Sequence, residues 1–412
     1  MLQAWRPYSV RVLYLDDIPT PYRLEIHRCF AATNTASYRV LFCACEEPGR
    51  SWNLDYTGIE YRILKGWQFR PPGQLNPFSF KINPGVLKEL RRFQPDVVIL
   101  SGYVHPTVWL AAYWCRRHGI PYGVTSESSV ATGSRSVIKG WLKKRCVGPM
   151  LAQAAFGLPV SRAAGRHLRK LSGNRELPLF PFPNTPNVSQ LIEMTQAAEE
   201  DIRSKKDLQE RGVPEDGRHI LFAGRLIKAK RPLDLLRAYQ LLAAQQRKKT
   251  HLVFVGDGPL HQEILSARKN GDSVHILGWI KDKAVMARLM ASADLFVLPS
   301  VHETWGAVVN EAMTVGTPVL ASDKVGAAQD MITHDHNGFL YQCGDIVACS
   351  QTLTLALQST QKEAIIAAAK ATATAFGHEY AVKNLRQAVS YAQQENEQNI
   401  NWSRSSRICG KK

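Results

Sequence analysis

No stretch of this chain strings together the roughly 18 apolar residues that a membrane-spanning helix needs. The opening residues also lack the long apolar core of a secretion signal, so an intracellular, cytoplasmic protein is expected. The eight cysteines (Cys29, Cys43, Cys45, Cys115, Cys146, Cys343, Cys349 and Cys409) include no CxxC pair. Reduced structural thiols are therefore expected rather than a disulfide framework. There is no internal repeat of fixed period, and Gly and Pro are scattered. Solenoid, collagen-like and low-complexity architectures are therefore excluded.

Acidic residues are in short supply: 35 Asp and Glu against 52 Lys and Arg, a formal net charge of +17. An anionic partner follows, whether nucleic acid, a membrane surface or a phosphorylated small molecule. Nucleic acid is disfavoured, because no recognition module is present and the aromatics do not interleave with the basic runs. The densest basic stretch, residues 135–175, holds ten Lys and Arg and no acidic residue. Lys139, Lys143 and Lys144 share it with Trp141, Leu142 and Val147. Two readings stand: a solvated helix face, or peripheral docking on the anionic inner face of the cytoplasmic membrane, where it could hold a lipid-linked acceptor.

The chain of 412 residues exceeds one hydrophobic core, which predicts two domains. Strand-like apolar runs alternate with helical patterns in each half: 9–15, 38–45, 96–100, 121–125 and 156–160 in the first, 219–222, 251–255, 274–277 and 295–298 in the second. This is α/β patterning with parallel sheets covered on both faces. Residues 46–84, rich in Pro, Gly and aromatics, read as irregular. Pro181, Pro183 and Pro186 mark a stiff linker. The expected division is 1–185, 186–375, a last helix over 376–396 that packs back on the first domain, and a polar tail over 397–412. Strand-end loops and the interdomain space are the default ligand sites in such sheets.

The second domain turns on residues 293–321. A buried strand stops at Pro299-Ser300, and a helix follows between Glu303 and Glu311, eight positions apart. Eight helical residues rise about 12 Å, roughly a sugar-diphosphate-ribose length, and a carboxylate suits vicinal hydroxyls because it accepts two hydrogen bonds. A helix-start glutamate favoured by the dipole plus a surface glutamate is the equal alternative. Upstream, Gly224, Arg225 and Lys230 share one strand-to-helix loop. Glycine permits close approach, and the two cations suit a diphosphate; two solvated cations in a lysine-rich loop is the other reading.

The segments AGRLIKAKRPLDLLRAY, FVGDGPL, LGWI and HETWGAVVNEAMTVGTPVLAS resemble the nucleotide-sugar domain of retaining family-4 glycosyltransferases. Glu303 and Glu311 match that family's E-x7-E motif, and Arg225 and Lys230 its G-R-x4-K loop. The resemblance is strong over 218–345 and weaker from PTPYR to residues 159–161. It implies the GT-B fold, two Rossmann-like domains with parallel sheets facing a central cleft, and transfer of a hexose from a UDP- or GDP-linked sugar to a glycan, lipid-linked saccharide or other hydroxyl. It further implies a diphosphate site at Arg225 and Lys230, the donor sugar at Glu303, and the ribose at Glu311. Amides near Thr304, Trp305, Gly306 and Ala307 would cradle sugar and phosphate, Gly278 and Trp279 would border the base, and His105 would face the sugar. Neither a cofactor nor a metal is implied, since the nucleotide sugar is a substrate. Asp16-Asp17 is not a DxD pair, and His334-Asp335-His336 precedes a family turn and reads as a surface loop. One departure concerns the loop after the first strand, which lacks the family's glycine pair. Asp17, Tyr22 or Arg23 is expected to read the acceptor there, with Glu127 nearby.

Overall fold

A computed structural model describes residues 10–33, 37–47, 54–69, 79–128, 137–196 and 205–409, less the side chains of 33, 137–144, 196 and 399–409. The chain forms two compact units. The first comprises Met1–Pro183 and His378–Lys412, the second Asn184–Gly377.

The first unit's sheet contains β1 (Arg11–Asp16), β2 (Ser37–Phe42), β3 (Tyr61–Ile63), β6 (Val97–Leu100), β7 (Tyr122–Ser126) and β8 (Phe156–Pro159) in the order β3-β2-β1-β6-β7-β8. All its pairs are parallel. Side chains of β1 alternate between two cores: Leu13 and Leu15 face one, Val12 and Tyr14 the other. That double burial explains why β6 is the unbroken apolar run Val-Val-Ile-Leu. Outside the sheet, β4 (Trp67–Phe69) and β5 (Phe80–Ile82) pair antiparallel. With β3 they correct the expectation of irregular chain over 46–84. Three-residue strands are too short to show a period, and the residues of β3 and β4 are exposed.

The proline-marked segment is not a free linker through its whole length. Gly157 N–H donates to Pro178, Phe180 N–H to Gly157, and Phe182 N–H to Pro159, at 2.8–2.9 Å. Phe182 is fully buried in the first unit. Edge pairing along β8 needs only alternate amides, which these prolines leave intact. The last helix, His378–Cys409, continues past the residue 396 expected for its end. No Pro or Gly interrupts it before Gly410. Its Ala381, Val382, Leu385, Ala388, Val389 and Ala392 recur at helical spacing and enter the first unit's core.

The second unit repeats the plan. Strands β9 (Arg218–Ala223), β10 (Thr250–Val255), β11 (Val274–Ile276), β12 (Leu295–Leu298), β13 (Val319–Ser322) and β14 (Phe339–Tyr341) lie in the order β11-β10-β9-β12-β13-β14, all parallel. In β9, Leu221 and Ala223 face one core and Ile220 and Phe222 the other. Two helices, Val188–Gln196 and Lys206–Gln209, precede β9, and residues 197–204 between them lie outside the description. In each unit the strand order reverses at the first strand, and the loops leaving β1 and β9 open there. That is the place where such sheets bind ligands.

Candidate active site

In the second unit, β9 ends at Ala223 and the chain turns through Gly224 into a short 3-10 turn, Lys228–Lys230. Arg231 takes a left-handed φ of 51° before Pro232 opens the next helix. The neighbouring loop is pressed against this one. A Cβ on Gly256 would come within 2.0 Å of the Gly224 carbonyl oxygen, so only glycine fits there. Leu226 N–H donates to Asp257 and Gly256 N–H to Gly278. The backbone that carries Arg225 is thus held by the loops after β10 and β11.

From the other side, Val301 N–H donates to Ala229 at 2.9 Å, which ties the loop after β12 to the 3-10 turn. This brings Glu303 into an ion pair with Lys230 across 73 residues of sequence. Ser300 Oγ donates to the same Glu303 oxygen at 3.4 Å. Burial, and then the Arg225 charge, push the Lys230 ammonium down to about 8. It remains above neutrality, and the carboxylate of Glu303 favours its charged form. The Glu303 backbone is clamped in turn, its N–H donating to Lys324 and its carbonyl accepting from Gly326. A Cβ on Gly326 would sit 2.2 Å from the Thr304 oxygen.

Gly306, at φ 92°, caps the helix Ala307–Val315. The first amides of such a helix have no intrahelical acceptor and attract anions. The Trp305 ring lies in the core, 2% exposed, 6.3 Å from the Phe376 ring; only its backbone is available at the helix start. Glu311 sits in the second turn, partly exposed. Trp279 is 65% exposed after Gly278. The structure therefore brings Gly224, Arg225, Lys230, Glu303 and the helix start at 305–307 to one end of the sheet, with Gly278 hydrogen-bonded to the same loops.

The first unit has a second cluster at the carboxyl end of β1. Asp17 Oδ1 lies 2.7 Å from Lys81 Nζ in an ion pair and 3.0 Å from His105 Nε2. Lys81 also pairs with Glu47 at 3.0 Å. The Lys81 side chain is wholly buried, and those of Glu47 and His105 nearly so, whereas Asp17 keeps 30% of its side chain exposed. His105 Nδ1 accepts the Lys81 backbone N–H, which places the ring proton on Nε2, towards Asp17. Burial opposes charge on Asp17, but the hydrogen bond and charge of His105, with Lys81, hold its carboxyl below the ordinary 3.8. Burial would lower Lys81, yet Asp17 and Glu47 raise it above 10.5. His105 is thus enclosed behind Asp17. Lys81 and Glu47 were missed because they lie in the stretch read as irregular.

Arg23, expected to read an acceptor, is buried. Its guanidinium lies 4.2 Å from the Phe182 ring centroid and 3.5 Å from Glu127, whose side chain is 54% exposed. Tyr22 stands partly exposed at the start of the helix Pro21–Thr33. His334, Asp335 and His336 form an exposed turn in which His334 Nδ1 accepts the Leu340 N–H. Among the described residues no three His, Cys, Asp or Glu side chains converge on a metal position, and no helix is long and apolar enough to cross a membrane. The side chains of Lys139, Lys143 and Lys144 lie outside the described residues.

Comparison with known proteins places these features. Residues 203–372 match the family model "Glycosyl transferases group 1", and residues 22–185 match "Glycosyl transferase 4-like domain". TuaC of Bacillus subtilis (strain 168), a glycosyltransferase provisionally assigned to teichuronic acid biosynthesis, is 33% identical over 292 residues, 67% of this chain and 68% of its own. A phosphatidyl-myo-inositol mannosyltransferase of Mycobacterium leprae is 26% identical over 306 residues, 73% of this chain and 75% of its own. Anabaena HepE, solved with UDP, superposes with a TM-score of 0.70 at 20% identity, covering 92% of this chain and all of its own; it supports the fold.

Proposed function

Because the chain belongs to the glycosyl transferases group 1 family of GT-B glycosyltransferases, we propose that it transfers a hexosyl group from a UDP- or GDP-linked sugar with retention of configuration. The acceptor is a hydroxyl of a glycan, lipid-linked saccharide or small molecule in cell-surface polysaccharide or glycoconjugate synthesis. One observation carries this reading: Arg225 and the Lys230–Glu303 pair meet beside the Gly306-capped helix start.

Arg225, Lys230 and the helix amides hold the diphosphate. Charge builds there as the sugar–phosphate bond breaks, and fixed cations lower the barrier without reorganising. Glu303, held by Lys230 and Ser300, takes a hydroxyl of the donor sugar, and Glu311 takes the ribose hydroxyls. Gly278 and Trp279 border the base. The acceptor oxygen bonds to the anomeric carbon on the face the phosphate leaves. Its proton passes to the departing phosphate oxygen, and nucleoside diphosphate is released. The reaction asks for no metal, because side chains and amides carry the charge. Docking of the basic helix Val137–Ala152 on the inner face of the cytoplasmic membrane would bring the enzyme to a lipid-linked acceptor.

Proton NMR of reactions with UDP-glucose and GDP-mannose tests the proposal. Donor consumption that is lost in Glu303→Ala, with the product's anomeric coupling matching the donor's, supports it. Binding without turnover would mark a nucleotide-sugar-binding module, and conversion of the donor to another nucleotide sugar without acceptor would mark an epimerase.

A further inference from the structure

The cluster at the end of β1 has a feature that core packing does not explain. A buried salt bridge is weak evidence for stability, since apolar residues of similar volume often do as well. Here a lysine with no exposed side-chain surface is spent on two carboxylates, and one of these, Asp17, remains partly exposed where ligands bind in such sheets. Asp17 Oδ1 is itself buried, so the exposed part of the side chain lies elsewhere, away from its two partners. The carboxylate is gripped through one oxygen. Glu47 in turn fixes Lys81, and Ser79 N–H donates to Glu47 at 3.4 Å. The Lys81 carbonyl accepts from Thr107 at 2.9 Å, in the turn that carries His105.

We propose that Lys81 and His105 are positioning residues that hold Asp17 ionised and oriented, so that Asp17 accepts a hydrogen bond from a hydroxyl of the acceptor beside the one that reacts. The inference rests on the glycosyltransferase reading above. It gives the acceptor a protein partner in a loop that lacks the family's glycine pair. A carboxylate stabilised by two such partners is a poor base, so Asp17 orients the acceptor through a hydroxyl other than the one whose proton the departing phosphate takes. His105 acts through Asp17.

A double-mutant cycle tests this, with UDP-glucose or GDP-mannose as donor and n-octyl β-D-glucopyranoside as the hydroxyl probe. Asp17→Asn and Lys81→Met should each lower transfer at least tenfold, with the loss carried in the acceptor KM as well as kcat. The double variant should be no worse than Asp17→Asn alone, because Lys81 acts only through Asp17. Lys81→Arg should recover part of the loss, and His105→Gln should likewise add nothing in the Asp17→Asn background. Circular dichroism separates misfolding from the effect, and if Lys81→Met is unfolded the His105 cycle decides. Multiplicative losses, or Asp17→Asn within twofold of wild type, would overturn the proposal. Thermal shift with UDP and GDP keeps the two readings apart. If UDP or GDP stabilises the variants as it does wild type, a failed cycle counts against the positioning network alone. No stabilisation of wild type counts against the donor site on which it rests.

Discussion

The loops that leave β1 and β9 occupy the same place in two sheets of the same order, yet they present opposite charges. After β9 the exposed Arg225 stands beside the Lys230–Glu303 pair, whose side chains are 18% and 16% exposed. After β1 a carboxylate, Asp17, faces outward, backed by the fully buried Lys81. The repeated topology supplies a position and a converging set of loops. On the proposed function the side chains then decide whether that position receives a diphosphate or a hydroxyl.

The two lysines should separate in stability. Lys81→Met leaves two buried or half-buried carboxylates without their cation, and breaking a buried pair costs about 3–5 kcal/mol; urea denaturation checks it. Lys230→Met should lower transfer by about 10²–10³, the scale for loss of one preorganised charge-stabilising donor, and cost less stability than Lys81→Met, because burial already disfavours the Lys230 charge and one carboxylate rather than two loses its partner. Equal destabilisation by both substitutions would break the comparison.

A smaller effect is expected with pH. Lys230 titrates near 8 in the folded protein against an ordinary 10.5. Between these values the unfolded chain binds the extra proton, so this group's contribution to stability rises with pH across that window. Diphosphate binding should reverse the preference by favouring the charged lysine. Affinity for UDP should weaken by up to about tenfold per pH unit above 8, with proton uptake visible by calorimetry in buffers of different ionisation heat; Lys230→Met should flatten the profile. Asp17 shows the same direction in an acid window. Its lowered carboxyl contributes stability that is full above the ordinary 3.8 and lost as pH falls through the folded value. The gap in stability between wild type and Asp17→Asn should therefore close in acid. Smallest of all, Trp279→Ala should change stability by under about 0.5 kcal/mol, since the ring is largely exposed, while altering the preference between UDP and GDP in competition binding.

The sheet strands were legible because both faces are buried and apolar runs such as Leu295–Leu298 follow. Arg225, Lys230 and Glu303 were legible because their loop and helix-start spacings are local patterns. The Asp17 network was not. Lys81 sits on a three-residue strand between aromatic and proline-rich segments, and its two carboxylates lie 34 and 64 positions away. No periodicity reports a pairing of that kind. Arg23 misled for the same reason, since nothing local announces that Phe182, from a distant proline-marked segment, covers its guanidinium.

The central claim is that the cations after β9 hold a nucleoside diphosphate. Thermal unfolding of wild type and Lys230→Met with UDP, GDP, UMP and uridine tests it most directly. A diphosphate at 100 times its dissociation constant should stabilise wild type by about 2.7 kcal/mol, the monophosphate less and the nucleoside least, with most of the gain lost in Lys230→Met. No stabilisation by either diphosphate, or a gain that survives Lys230→Met undiminished, would contradict the account.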